Sequence, residues 1–267
     1  MYSIKDFEPQ NLSKLIDKNQ LSYDLFLAQS DVITLENNEQ FIRIESTNPI
    51  PIFNGVLETT INQNDPDTLI RDILESLESR KDGFCWKVWS STFPKNLGEI
   101  LVSQGLKVSS ESPGMAADLA CHEFPPQSLE KLTVKQVSTE KGLEDWVITL
   151  FEGFQLSYEL RPIYNKILMD AGFKNPVKSY LGLYDGQPVA TASCFYSDGV
   201  VGIYWVSTIP AFRGKGIGRN MMNVILKDAS NCGYRVAILQ SSNKGFGMYK
   251  KLGFSQYCTN IRYEWKR

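Results

Sequence analysis

The chain has 267 residues, 42% of them hydrophobic and 12% aromatic, enough to bury a sizeable core in one large domain or two ordinary ones. Its 28 Lys and Arg against 30 Asp and Glu leave a formal charge of -2, so no global field recruits nucleic acid or an anionic membrane, and any anion binding must be local. Five cysteines (Cys85, Cys121, Cys194, Cys232, Cys258) stand singly and His122 is the only histidine, which argues against both a disulfide framework and a zinc site.

The opening "MYSIKDFEPQ" carries charges where a signal peptide needs an apolar centre, and the longest apolar run, "VVGIYWV", is far short of a membrane span. A cytoplasmic protein with no membrane or nucleic-acid partner is expected. "FNGVLET" (53 to 59) reads as a strand and "DPDTLIRDILESLESRKDG" as a helix with an acidic start at Asp65 and Asp67. "DGFCWKVWSSTFPKNLGEILVSQGLKV" (82 to 108) reads as strand, helix and strand. Cys85 and Cys194 fall inside apolar, strand-like runs, where a thiol packs as a small hydrophobe. "CHEFPPQSLEK" (121 to 131), with paired prolines and His122, is the expected linker, dividing 1-127 from 128-267.

Beyond it, "LTVKQV" (132 to 137) reads as a strand, and "STEKGLEDWVITLFEGFQ" as a helix capped by Ser138, with Leu143, Trp146, Val147, Leu150 and Phe154 at helical spacing. A short helix fits 161 to 171. Three strands follow, joined by the hairpin signals "DGQP" and "SDG". "GRNMMNVILKDASNCG" reads as a helix stopped at Gly233, "YRVAILQ" as a buried strand, "KGFGMYKK" as a helix, and "FSQYCTNIRYEW" as a final strand or pair. The order predicts an α/β (α+β) fold with a mixed, mostly antiparallel sheet flanked by helices.

The stretch "STIPAFRGKGIGRNMM" (207 to 222) brings three glycines and three basic side chains to one helix start. Bare N–H groups and a positive dipole end make that an anion site of the pyrophosphate kind. Gly214, Gly216 and Gly218 let the backbone approach phosphate oxygens, while Lys215 and Arg219 supply charge. A nucleoside-triphosphate loop is excluded because Gly214-Lys215 is followed by Gly216, and a dinucleotide fingerprint because Arg219 stands where its last glycine belongs.

"RGKGIG" resembles the R-x-x-G-x-G/A signature of the GNAT N-acetyltransferase superfamily, with Arg213, Gly216 and Gly218 on its fixed positions, and "SSNKGFGMYKKLGF" is similar to the second motif of that family. The resemblance spans 128 to 267 and implies an acetyl-CoA-dependent N-acetyltransferase, acetyl-CoA being a co-substrate with no metal. It implies that the pantetheine arm lies between two splayed parallel strands, 200 to 208 and 235 to 240, bound by backbone groups near Val206 and Thr208. It also implies cofactor contacts from Arg213, Gly214, Lys215, Gly216, Ile217, Gly218, Arg219, Ser242 and Tyr249, with Tyr249 as the general acid.

Direct attack of an amine on the thioester needs a neutral amine, a donor for the oxyanion and help for the leaving thiolate. "GIYWVST" carries no glutamate to act as base, so the base stays open: Glu152 and Asp198 are weak candidates, and Tyr204 and Trp205 read as packing or pocket wall. Tyr158 and Tyr164 lie where the family selects its acceptor, a primary amine of a small molecule or peptide. A non-catalytic acyl-CoA-binding module and a longer acyl donor are the competing readings.

The two halves run parallel: Gly83 answers Gly233 at an offset of 150, and Gly105 answers Gly253 at 148. The first half has no R-x-x-G-x-G, and Leu101 stands in the place of Tyr249. Two GNAT-like sheets in tandem are expected, the first degenerate.

Overall fold

The computed structural model describes residues 9–48, 50–61, 66–77, 83–125, 129–173 and 175–265. Helix α1 (Pro9–Leu27) is followed by the hairpin of β1 (Ile33–Asn37) and β2 (Phe41–Ser46), then β3 (Asn54–Thr59), α2 (Pro66–Ser76), β4 (Cys85–Val88), α3 (Leu97–Ser103) and the long strand β5 (Leu106–Asp118). The second half runs β6 (Leu132–Gln136), α4 (Glu140–Phe154), α5 (Arg161–Ala171), β7 (Val177–Tyr184), β8 (Gln187–Ser197) and β9 (Val200–Thr208). It ends with α6 (Ile217–Asn231), β10 (Val236–Gln240), α7 (Asn243–Lys251) and β11 (Ser255–Trp265). Asp65 and residues 126–128, at the predicted domain division, lie outside the described residues.

One of the expected details is corrected. The cap of α4 is Thr139, whose Oγ1 accepts from Gly142 N–H at 3.1 Å, not Ser138: the residue one step nearer the helix is the one whose hydroxyl reaches the third amide. The final segment, expected as a strand or a pair, is one long strand. The hairpin signals hold, since Asp185-Gly186 and Asp198-Gly199 both take positive φ at the two central positions, as a turn matching strand twist requires.

The strands form one sheet in the order β1-β2-β3-β4-β11-β5-β10-β9-β8-β7-β6, and this corrects the expectation of two sheets in tandem. All neighbours are antiparallel except β3 with β4 and β9 with β10. The reason is an exchange at the centre. β5 leaves the first half to pair with β10, and β11 leaves the second to lie between β4 and β5. The β5–β11 ladder runs from Ser255↔Ala116 to Trp265↔Leu106 and fills the edges at which two sheets would separate. The runs β3–α2–β4–α3–β5 and β9–α6–β10–α7–β11 have the same order of elements. Gly83 and Gly105 have φ of 95° and 97°, and Gly233 and Gly253 of 90° and 80°.

Strand alternation distributes the core. Met115 and Ala117 of β5 join Ala237 and Leu239 of β10 against Met221, Met222 and Ile225 of α6. Ala116, Val236 and Ile238 face the other way, against Leu12 and Ile16 of α1. α1 lies so close to β9 that a Cβ on Gly202 would stand 2.0 Å from Asn19 Oδ1. No helix among the described residues is long and apolar enough to cross a membrane.

Candidate active site

β9 and β10 are paired only from Ala237↔Val201 to Leu239↔Ile203, after which they part. The cause lies in β9. Between Thr191↔Ser207 and Ser193↔Tyr204 it holds one residue more than β8, and Trp205 takes φ 53° in the bulge, its carbonyl accepting from Thr191 Oγ1 at 2.8 Å. β10 is meanwhile held to β5, with Gln240 opposite Gly114 and Ser241 N–H donating to Pro113 O at 2.9 Å. Ile209 N–H donates to Val189 O, so by alternation Ser207 turns its backbone to β8, and Val206 presents its N–H and C=O to the opening. Thr208 shares that parity, but its carbonyl accepts from Arg213 Nε at 2.9 Å.

The loop that follows is braced by Arg213. Besides Thr208 O, its guanidinium donates from Nη2 to Gly153 O at 2.5 Å, near the carbonyl end of α4. Gly216, the N-cap of α6, has φ 79° and offers no side-chain cap, and the first turn of the helix has no acidic residue. Among the described residues the N–H groups of Gly214, Lys215, Gly216, Ile217, Gly218 and Arg219 take no main-chain acceptor, and a Cβ at Gly214 would meet only open space. Lys215 Nζ lies 4.6 Å from the Phe212 ring centroid. A Cβ at Gly218 would sit 3.4 Å from Met248 Sδ and 3.8 Å from Thr208 Oγ1, so the start of α6 meets both α7 and the end of β9.

Ser242 caps α7, its Oγ accepting from Gly245 N–H at 3.2 Å. Tyr249 is 7% exposed and packs edge-on against Phe254. Burial pushes its phenol up to about 12. Its ring leans back over Gly245, where a Cβ would stand 2.8 Å from Cε2, and its hydroxyl has no hydrogen-bond partner among the described residues.

On the α1 side of the same opening lies a cavity of about 200 Å³. Tyr23, Asp24 and Leu27 of α1 roof it, Tyr204 and Trp205 close one end, and Lys87, Ser110, Ser112, Gln240, Asn260 and Arg262 supply its polar floor. Tyr204 donates to Asn19 Oδ1 at 2.7 Å, and Asp24 pairs with Lys87 at 2.5 Å. Asp24, Lys87, Asn260 and Arg262 escape sequence reasoning because they come from three distant segments. The one local signal is a lysine inside the apolar strand "CWKVW".

The other candidates are placed elsewhere. Tyr158 is 54% exposed, and Tyr164 is buried behind Trp205, with ring centroids 6.2 Å apart. Neither lines the cavity. Glu152 is exposed on α4. Asp198 sits in the β8–β9 turn, at the end of β9 away from the opening. Burial raises its pKa, but hydrogen bonds from Lys18, Ser197 and Ser22 outweigh that and hold it below the ordinary carboxylate range. Cys85 and Cys194 are buried, as an apolar role requires.

A family model described as "Acetyltransferase (GNAT) family" matches residues 142–254, which include the bulge, the loop and Tyr249. Residues 142–254 form a GNAT domain. The GNAT likeness of fold extends further. A GCN5-related N-acetyltransferase from Kribbella flavida is 17% identical, with a TM-score of 0.70 and coverage of 94% of each chain. A tandem GNAT protein from the clavulanic acid biosynthesis pathway is 11% identical at a TM-score of 0.63, over 95% of this chain and 94% of that one. A GCN5-related N-acetyltransferase from Sphaerobacter thermophilus is 14% identical at 0.62, over 86% and 81%. No curated protein matches the sequence.

Proposed function

We propose that the protein is an acetyl-CoA-dependent N-acetyltransferase that acts on a primary amine of a small molecule or peptide by direct attack. The observation that carries this reading is the parting of β9 and β10 beside a loop whose amide donors have no main-chain acceptor. Acetyl-CoA supplies an activated thioester. Its diphosphate fits the amides of 214 to 219, with the α6 dipole, Lys215 and Arg219 adding positive charge. Val206 offers its N–H and C=O to the pantetheine amides as an added strand would. Arg213 holds the loop in shape through its two carbonyl contacts, and Ser242 acts through the cap of α7.

In the reaction an N–C bond forms as the C–S bond breaks, the amine gives its proton to solvent, and the leaving thiolate takes one from solvent. Tyr249 donates a hydrogen bond to that sulfur as it leaves. Complete proton transfer from a phenol at about 12 to a thiolate of cysteine-like pKa is uphill by roughly 5 kcal/mol, so Tyr249 works as a neutral hydrogen-bond donor. With Asp198 at the far end of β9 and Glu152 exposed to solvent, acceptor choice replaces a strong base: neutralising a lysine-like amine at pH 7 costs about 4 to 5 kcal/mol, a peptide α-amine only about 1.

The first half reads as a GNAT-like half without a cofactor loop. Its order of elements supports this, as do Asp67 in the first turn of α2 and the fully buried Leu101 in the place of Tyr249. The whole reading is tested by thermal shift with acetyl-CoA, then by CoA release across a panel of amines. Saturating acetyl-CoA at 100 times its Kd adds about 2.7 kcal/mol of stability. Binding without CoA release for any amine supports the non-catalytic reading instead, and no shift removes both.

A further inference from the structure

We propose that the cavity between α1 and the sheet receives a small primary amine that also carries a carboxylate, with Arg262 as its anion anchor and Asn260 and Gln240 as its polar contacts. This rests on the acetyltransferase reading for its consequence, but the binding claim stands on the cavity alone.

The first observation is a set of buried amides without partners. Asn260 is 5% exposed, yet neither Oδ1 nor Nδ2 has a hydrogen-bond partner among the described residues, and the same is true of Gln240 Nε2. The Asn260 amide is near enough to Asp17 to favour its charge without closing a bond of normal length. A buried polar group left unpaired costs about 1–3 kcal/mol, and such groups converging on one cavity are what a polar ligand satisfies.

The second observation concerns charge. Of the ionised groups on the wall, Asp24 and Lys87 neutralise each other, and Asp24 also accepts from Gln20 at 3.1 Å, so no free carboxylate is left to hold a second ammonium group. Arg262 is tied only through Nε, to Ser109 Oγ at 3.1 Å and Glu264 at 2.9 Å. Its two terminal nitrogens take no partner among the described residues, which leaves the planar fork that suits a carboxylate.

The sheet sets these groups in register. Lys87 on β4 stands opposite Arg262 on β11, which stands opposite Ser110 on β5, while Asn260 stands opposite Ser112. β11 is two strand spacings, roughly 10 Å, from β10, where the opening starts. A ligand of dipeptide length, with its amine and carboxylate at opposite ends, covers most of the way from Arg262 to the β9–β10 end, in keeping with the cavity of about 200 Å³. Phe53, Trp89, Tyr204 and Trp205 supply an apolar wall for its side chain.

The test is titration calorimetry on the full chain, with and without CoA, using matched pairs: phenylalanine against phenethylamine, and glycyl-phenylalanine against its C-terminal amide. The carboxylate member of at least one pair binds about tenfold tighter or better. Arg262→Gln abolishes that difference by weakening the carboxylate member, with a smaller effect on the member that lacks a carboxylate. Asn260→Asp, which sets a second negative charge beside the ligand carboxylate, weakens the carboxylate member selectively. Equal binding, preference for the amine or amide member, a preference intact in Arg262→Gln, or no heat from any ligand at millimolar concentration overturns the proposal. CoA release with the preferred ligand is scored separately: its absence, with the binding preference present, overturns the acetyltransferase reading and not the carboxylate site.

Discussion

The indole N–H of Trp205 donates to the Tyr23 hydroxyl at 2.7 Å, so the residue that makes the β9 bulge is held by a helix from the opposite end of the chain. Tyr23 also stacks on Tyr204, with centroids 4.2 Å apart. Tyr23→Phe keeps the stack and leaves the half-buried Trp205 donor without its acceptor. It lowers unfolding stability by about 1–3 kcal/mol and raises the acceptor KM more than the acetyl-CoA KM. Urea unfolding and steady-state kinetics check this, and an unchanged midpoint would show that the contact carries no energy.

Arg213 joins Thr208 O and Gly153 O through one guanidinium, and charged hydrogen bonds contribute about 1.5–3 kcal/mol each. Arg213→Ala weakens CoA binding by about tenfold or more, measured by calorimetry. Arg213→Lys recovers only part of the loss, because a single ammonium does not span two carbonyls held by a planar fork. Full recovery by lysine would mean that charge, and not bracing, is what Arg213 provides.

Gly245→Ala sets two effects against each other. Alanine favours the α7 helix by about 1 kcal/mol over glycine, yet its Cβ would lie 2.8 Å from Tyr249 Cε2 and displace the ring. Turnover falls by roughly tenfold while the thermal midpoint holds or rises. Retained turnover would mean that the ring's position is immaterial.

The pH profile carries a sign that follows from burial. The active form of Tyr249 is the neutral phenol, and with its pKa pushed up to about 12 that form persists throughout the working range. kcat/KM therefore rises with pH as the acceptor amine loses its proton, with no alkaline limb below about pH 10. Tyr249→Phe lowers turnover by roughly 10²-fold in parallel across the profile and leaves CoA affinity nearly unchanged. An alkaline limb in the natural protein that vanishes in the variant would mean that the Tyr249 phenol ionises within the working range, against the rise that burial gives it.

Local chemistry made most of the second half readable. Asp185-Gly186 and Asp198-Gly199 announce their turns, and the helical spacing of Leu143, Trp146, Val147 and Leu150 is the face that α4 buries. The glycines and basic residues of 213 to 219 likewise describe their own loop. What stayed hidden depends on pairing between remote segments. Nothing in "FSQYCTNIRYEW" says that its neighbours are β4 and β5, so neither the single sheet nor the row Lys87–Arg262–Ser110 could be read from it. The brace made by Arg213 was hidden for a similar reason: its acceptor Gly153 lies 60 positions away and is a carbonyl, a group every residue has.

The exchange of β5 and β11 also bears on biosynthesis. During translation β4 and the outer flank of β5 emerge long before Ser255–Trp265, the segment that covers them, so the nascent first half waits on the ribosome with open hydrogen-bonding edges. Each half taken alone leaves central strands without their partners, and a gene fragment encoding only the GNAT region would yield a polypeptide whose β10 lacks its β5 neighbour.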